Sequence, residues 1–237
     1  MNSYDEKRLF AMFILQRGLG FLSDFDVRDN NPVQITTVIL FNKLLNDLDS
    51  IIVMVEKGFI DQPFVVTRTM IDKLFVISAL TKDESKMEEL QKHFEYQQKG
   101  KVKKAYNLDL IDEDAKEAKL SDFGGRNITT SEWAEWAGMK DTYDREYTLF
   151  SDFIHVSLSS IENCLVRESG KIKAIDMAPD VKRKEELLAT ASYYALLATE
   201  RMCEYFKIEM TDQEEVEKTF SKIAAPYFVQ DDQNNRG

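Results

Sequence analysis

Apolar residues recur along this chain at spacings of three and four, with few interruptions. Leu9, Phe10, Phe13, Ile14 and Phe21 share one face of a first helix predicted from about Tyr4 to Ser23. Ser3 followed by Glu6 has the form of a capping box at its start. Asp29-Asn30-Asn31 precedes Pro32, a favoured first-turn residue, and opens a second helix. That helix carries Val38, Phe41, Leu45, Leu48, Ile52 and Val55 before Gly58 ends it. A third helix starts at Asp61 and Pro63 and reaches about Leu80. Val65, Val66, Ile71, Leu74, Val76 and Ile77 make it apolar nearly all round, the pattern of a central helix.

The pattern then changes. From Glu84 to Ala105 only Met87, Leu90 and Phe94 mark one face, so this segment reads as an outer, solvated helix. Asp109 to Leu120 is short and acidic, and Asp122-Phe123-Gly124-Gly125-Arg126-Asn127 is a loop. Thr130 or Ser131 is expected to cap a short helix through Trp133 and Trp136 to Gly138. Another helix is predicted from about Thr142 to Glu168, kinked near Ser151, followed by an irregular stretch with a brief extended piece at Ile172-Lys173-Ala174-Ile175. A long helix from Val181 to Phe206 is rich in small residues (Ala189, Ala191, Ser192, Ala195, Ala198), which lets another helix approach closely. Asp212 caps a last helix to about Ile223.

The sum is an all-α chain: a single bundle of about seven to nine helices over residues 1–228. It has a charged excursion at 82–138 and a polar, frayed tail at 229–237.

Only 9 Gly and 4 Pro agree with long uninterrupted helices. A net charge of −11 makes the chain acidic and opposes non-specific binding to nucleic acid or anionic lipid, while leaving room for a local basic groove. The mixed charge of the first residues shows no export signal, and no apolar run is long enough to span a membrane. Cys164 and Cys203 sit inside helical patterns as reduced core thiols, so the expected compartment is the cytoplasm.

Two anomalies carry the candidate chemistry. Arg68 and Asp72 stand four apart on the central helix, where both are expected to be buried with each other as the local partner. Tyr143, Tyr147, Ser151 and His155 are also spaced by four, which stacks them along one helix face. Polar groups recur like that in a core when they satisfy one another or do chemistry. His155 titrates near neutrality and can act as acid or base, with Glu162 two turns on to orient its ring.

Other motifs add nothing. Asp152 and His155 have the spacing of a carboxylate-bridged metal helix, but His93 has Leu90 where a second pair needs a carboxylate. No metal site and no cofactor are implied. Gly124-Gly125-Arg126 is a turn and not a phosphate loop, and Lys99, Lys101, Lys103 and Lys104 read as a solvated helix end.

Thr67-Arg68-Thr69-Met70-Ile71-Asp72, a Trp-containing segment and then Tyr147-x-x-x-Ser151-x-x-x-His155 together resemble a family of uncharacterised all-helical bacterial and archaeal proteins. That family is similar in style to HEPN domains, helical bundles of toxin–antitoxin and phage-defence systems, many of them metal-independent ribonucleases. The HEPN signature places Arg four to six residues before His on one helix. Here the nearest upstream Arg is Arg145, with nine residues before His155, so that signature is not met.

The resemblance implies an RNA-cleaving effector with His155 as catalytic acid or base; Arg68, by shape rather than by the motif, is the catalytic cation, with Asp72, Tyr147 and Ser151 binding or positioning. It also implies a homodimer, RNA or a protein from the same operon as partners, and no membrane. The alternative is a non-catalytic interaction or sensor protein in which Arg68, Asp72, Ser151 and His155 form a structural polar network. A small-molecule binder with these residues lining a pocket is a third class. Helix three and the Tyr147–His155 segment are expected to converge in space in all of them.

Overall fold

A computed structural model describes residues 3–59, 61–121, 123–147, 150, 165–168, 170–175 and 181–228. The described elements are α1 (Ser3–Leu22), α2 (Pro32–Glu56), α3 (Asp61–Lys82), α4 (Lys86–Asn107), α5 (Glu113–Ser121), α6 (Thr130–Ala137) and α7 (Lys140–Thr142). α7 runs into a π-helical turn (Tyr143–Tyr147), followed by β1 (Leu165–Glu168), β2 (Lys171–Ile175), α8 (Val181–Phe206) and α9 (Gln213–Phe228). The fold is an all-α bundle, with one two-stranded hairpin as the only sheet among the described residues.

α2 forms where the sequence calls for it. Asn31 Oδ1 accepts from the backbone N–H groups of Val33 and Gln34, both at 3.0 Å, and Pro32 occupies the first turn. Its apolar face seats Phe41, Leu44, Leu45, Leu48 and Ile51, all fully buried, against Met70, Ile71, Leu74, Phe75 and Ile77 of α3. The small residues of α8 do what their size allows: Ala191, Ala195 and Ala198 are fully buried where α8 packs on α1, α2 and α3. Ser192 and Thr199, buried in the same face, return their hydroxyls to the carbonyls of Leu188 and Ala195 at 2.6 and 2.7 Å. α3 is therefore central, touching α2, α8 and α6.

α1 closes the bundle. A Cβ built on Gly18 would lie 2.7 Å from Leu45 Cδ2. The obstacle is the far end of a flexible side chain, so Gly18→Ala is expected to cost only about 1 kcal/mol of overpacking, offset by about 1 kcal/mol of helix propensity. A melt shifted by more than a few degrees would show that Leu45 cannot move. Arg17 ties α1 to the start of α9, its Nη2 2.6 Å from Asp212 Oδ1.

Three expectations are corrected. Ser3 lies within α1, and its hydroxyl accepts from Lys7 Nζ at 2.5 Å. Leu165–Glu168, read as the end of a long helix, is a strand that pairs antiparallel with Lys171–Ile175. Gly170, at φ 77°, supplies the left-handed turn, and β-branched Val166, Ile172 and Ile175 suit the extended backbone on both sides. The entrance to the predicted helix, Tyr143–Tyr147, is π-helical. Ser151, His155, Glu162 and Cys164 lie outside the described residues. Among the described residues no helix is long and apolar enough to cross a membrane.

Candidate functional site

Arg68 and Asp72 sit one turn apart on α3, both half-buried, on the side that meets α6 and the π-helical turn. The position of α6 is set by its start. Thr129, and neither Thr130 nor Ser131, is the N-cap: its hydroxyl accepts from the Glu132 N–H at 3.2 Å, and the Glu132 carboxylate accepts from the Thr129 N–H at 2.9 Å. The Thr129 N–H and the Arg126 guanidinium pull the Glu132 carboxyl down to about 2. With capping assigned to its neighbour, Thr130 projects its hydroxyl toward α3.

The segment before α6 is strapped to α4. Gly125 takes φ +78°, and a Cβ there would lie 2.1 Å from the Lys92 carbonyl oxygen. Arg126 bridges Glu89 and Glu132 at 2.9 and 2.7 Å. Ile128, 3% exposed, donates its N–H to His93 Nδ1 at 3.1 Å. On the other side, Tyr194 of α8 donates to the Glu146 carboxylate, which holds the π-helical turn and presents the next residue, Tyr147, to α3. Burial pushes the Glu146 carboxyl up.

These constraints assemble a directional chain of hydrogen bonds. Arg68 Nη2 donates to the Tyr147 hydroxyl at 2.5 Å, Tyr147 donates to Thr130 Oγ1 at 3.3 Å, and Thr130 donates to Asp72 Oδ1 at 3.3 Å. The Arg68 guanidinium also lies over the Tyr147 ring, 4.7 Å from its centroid, and the Tyr143 ring stacks with it, centroids 5.0 Å apart. The expected direct ion pair between Arg68 and Asp72 does not form. The phenol takes the guanidinium, and both it and the Thr130 hydroxyl act on the carboxylate, so hydroxyls stand between the charges.

Burial raises the Asp72 carboxyl above the usual range, while Arg68, Thr130 and Tyr147 act against it. Burial likewise raises the Tyr147 phenol. Arg68 Nε is buried with no hydrogen-bond partner among the described residues.

The structure thus brings Arg68, Asp72 and Tyr147 together. Ser151 and His155 lie outside the described residues. Thr130 is the member that sequence reading missed. The signal was present, because Thr129-x-x-Glu132 is itself a capping box and leaves Thr130 free to face inward.

Two cavities lie elsewhere. One of about 530 Å³ runs between α1 and α9 beside Phe13 and Val216, and one of about 590 Å³ sits at the ends of α3, α6 and α8 beside Ser78 and Tyr205. No cluster of metal-ligating side chains occurs among the described residues. Buried Cys203, whose thiol is pushed up to about 11 by its burial, is unsuited to act as a nucleophile.

Residues 34–172, more than half of the chain, match a family described as a family of unknown function (DUF5677). That span contains Arg68, Asp72, Thr130, Tyr147, Ser151 and His155. No curated protein and no solved structure matches the chain.

Proposed function

We propose a function from the site itself, because the chain belongs to the DUF5677 family, whose function is unknown. The reading is an HEPN-like ribonuclease or effector of a toxin or phage-defence system that cleaves RNA without a metal. The observation that carries it is the state of Arg68. Its face is held by Tyr147, its Nε has no partner, and no carboxylate pairs with it among the described residues. A structural ion pair would place Asp72 directly on the guanidinium. An oriented cation without that neutralisation suits the charge that develops on a phosphate in its transition state.

The chemistry follows from this cation and the downstream histidine. A base removes the proton of the ribose 2′-hydroxyl, the 2′-oxygen bonds to phosphorus, and the bond to the 5′-oxygen breaks as an acid protonates it. His155 serves as acid or base and Arg68 stabilises the phosphorane. Ser151 positions the phosphate. Tyr147, 6% exposed with its hydroxyl engaged, positions Arg68 instead, with Asp72 behind it through Thr130. A homodimer, and a partner protein from the same operon, belong to this proposal as the assembly in which such an effector works.

The test is total RNA with wild type and His155→Ala, in chelator, next to thermal melts of both. Wild type is expected to leave fragments with 2′,3′-cyclic phosphate ends. His155→Ala is expected to cleave about 10²–10⁴-fold more slowly with its melt unchanged. Equal cleavage by both proteins, or none by wild type, overturns the reading.

A second reading has its own support in the closed chain from Arg68 to Asp72 and the low exposure of Tyr147. It is a non-catalytic interaction or sensor protein with a structural polar network. It requires His155→Ala to lose about 1–3 kcal/mol of stability and wild type to leave RNA intact.

A further inference from the structure

We infer that His93 is a positioning residue for this site, a ring acceptor on α4 that latches the segment entering α6 and releases it when protonated. The consequence for cleavage rests on the ribonuclease reading; the latch does not.

The geometry sets the protonation state. His93 Nδ1 accepts the Ile128 N–H at 3.1 Å, so that nitrogen carries no proton. The ring proton therefore sits on Nε2, which lies 2.8 Å from Gln97 Nε2; two N–H donors cannot face each other, so the Gln97 amide has to turn to present its oxygen there. A second proton on the ring would set N–H against N–H at Ile128. Either the ring or the segment has to move, and Ile128 is buried and cannot turn its amide to solvent in place.

Thr130 lies two residues beyond Ile128 and links Tyr147 to Asp72. Release at Ile128 therefore reaches Arg68 through Thr130 and Tyr147, with no contact between His93 and the site.

The groups around the ring bear on the direction. Glu132 of α6 favours the charged ring, but its carboxylate is shared with Arg126, which also pairs with Glu89 of α4; Lys92 pairs with Glu89 as well. Burial outweighs Glu132 and holds the His93 ring below its usual value of 6.5. The unfolded ring therefore binds its proton more readily than the folded one. The latch contributes fully above about 6.5, and its contribution is lost as the pH falls from there toward the lowered folded value.

The experiment follows the Ile128 amide and the Tyr147 ring carbon by NMR in the full chain between pH 8 and pH 5, with RNA cleavage measured across the same range. In wild type both signals are expected to shift together as His93 titrates. His93→Asn places an amide oxygen where Nδ1 stood and does not protonate, so its Tyr147 signal should stay at the wild-type pH 8 position throughout. His93→Leu, which lacks an acceptor, should show the released Tyr147 signal already at pH 8.

Wild-type signals that ignore the His93 titration overturn the latch, and so does a His93→Asn protein that titrates like wild type. Signals that move as stated with no RNA cleaved leave the latch standing and remove the ribonuclease reading. Where cleavage occurs, the acid limb should fall about tenfold per pH unit more steeply in wild type than in His93→Asn. Coincident profiles overturn the coupling to Arg68.

Discussion

Gly125→Ala is expected to lower the melting temperature by roughly 5–10 °C and to expose the backbone amides of residues 124–130 to hydrogen exchange. The new Cβ would lie 2.1 Å from the Lys92 carbonyl oxygen and 2.9 Å from the Tyr96 nitrogen. Both obstacles are backbone atoms in the middle of α4, so no side-chain rotation relieves them. The residue also sits at φ +78°, where any Cβ costs about 1–2 kcal/mol.

Overpacking adds about 1–3 kcal/mol, and in a chain of this size each kcal/mol moves the midpoint by about 2–4 °C. The strap can undock from α4 before the bundle unfolds, which caps the thermal effect and makes exchange at 124–130 the more sensitive reading. Gly124→Ala is the control: its Cβ would meet only the tip of the Glu95 side chain, at 3.4 Å, and little should change. Equal behaviour of the two variants would mean that the segment does not rest on α4 as described.

On the proposed ribonuclease reading, Arg68→Met should reduce RNA cleavage by about 10²–10³-fold, the usual effect of removing one group that stabilises transition-state charge. It should also cost about 1–3 kcal/mol of stability, since Tyr147 loses the cation over its ring and Asp72 loses the charge that favours its ionised form. Double-mutant cycles divide that cost. Arg68 and Tyr147 touch, so their coupling should reach about 1–2 kcal/mol; Arg68 and Asp72 make no direct contact and should couple by less than about 1 kcal/mol.

Because burial holds the Asp72 carboxyl above its ordinary value, the folded chain binds that proton more tightly than the unfolded chain does. The contribution of Asp72 to stability therefore falls as the pH rises through its folded value, and Arg68→Met, by raising that value further, should steepen the fall. A larger coupling for Arg68 with Asp72 than with Tyr147 would restore the direct ion pair that the structure lacks.

Much of the fold could be read in advance because it rests on local signals. Asn31-Pro32 and Gly58 bound α2 as their capping chemistry requires, and the run of small residues from Ala189 to Ala198 marked the buried face of α8. The failures share a cause. At Leu165–Glu168 the helical spacing continues past the point where β-branched residues and a left-handed glycine favour a hairpin, a choice that depends on what the segment pairs with. At Thr129 and Thr130 a one-residue error in the cap reversed which hydroxyl turns outward and which turns into the site.

By itself the sequence determined that the chain is a helical bundle and that α3 is central, and it singled out Arg68, Asp72, Tyr147, Ser151 and His155 as polar residues within apolar helical patterns. Periodicity and burial cost are properties of one segment at a time, and they are enough for that. Only the tertiary structure decided which partner each charge takes. Side chains four apart on α3 were close enough to pair, yet a phenol from the π-helical turn and a hydroxyl from α6 reached them first. Hydrogen bonds between segments far apart in the chain depend on where helices dock, to within a fraction of an ångström, and no spacing along the sequence encodes that.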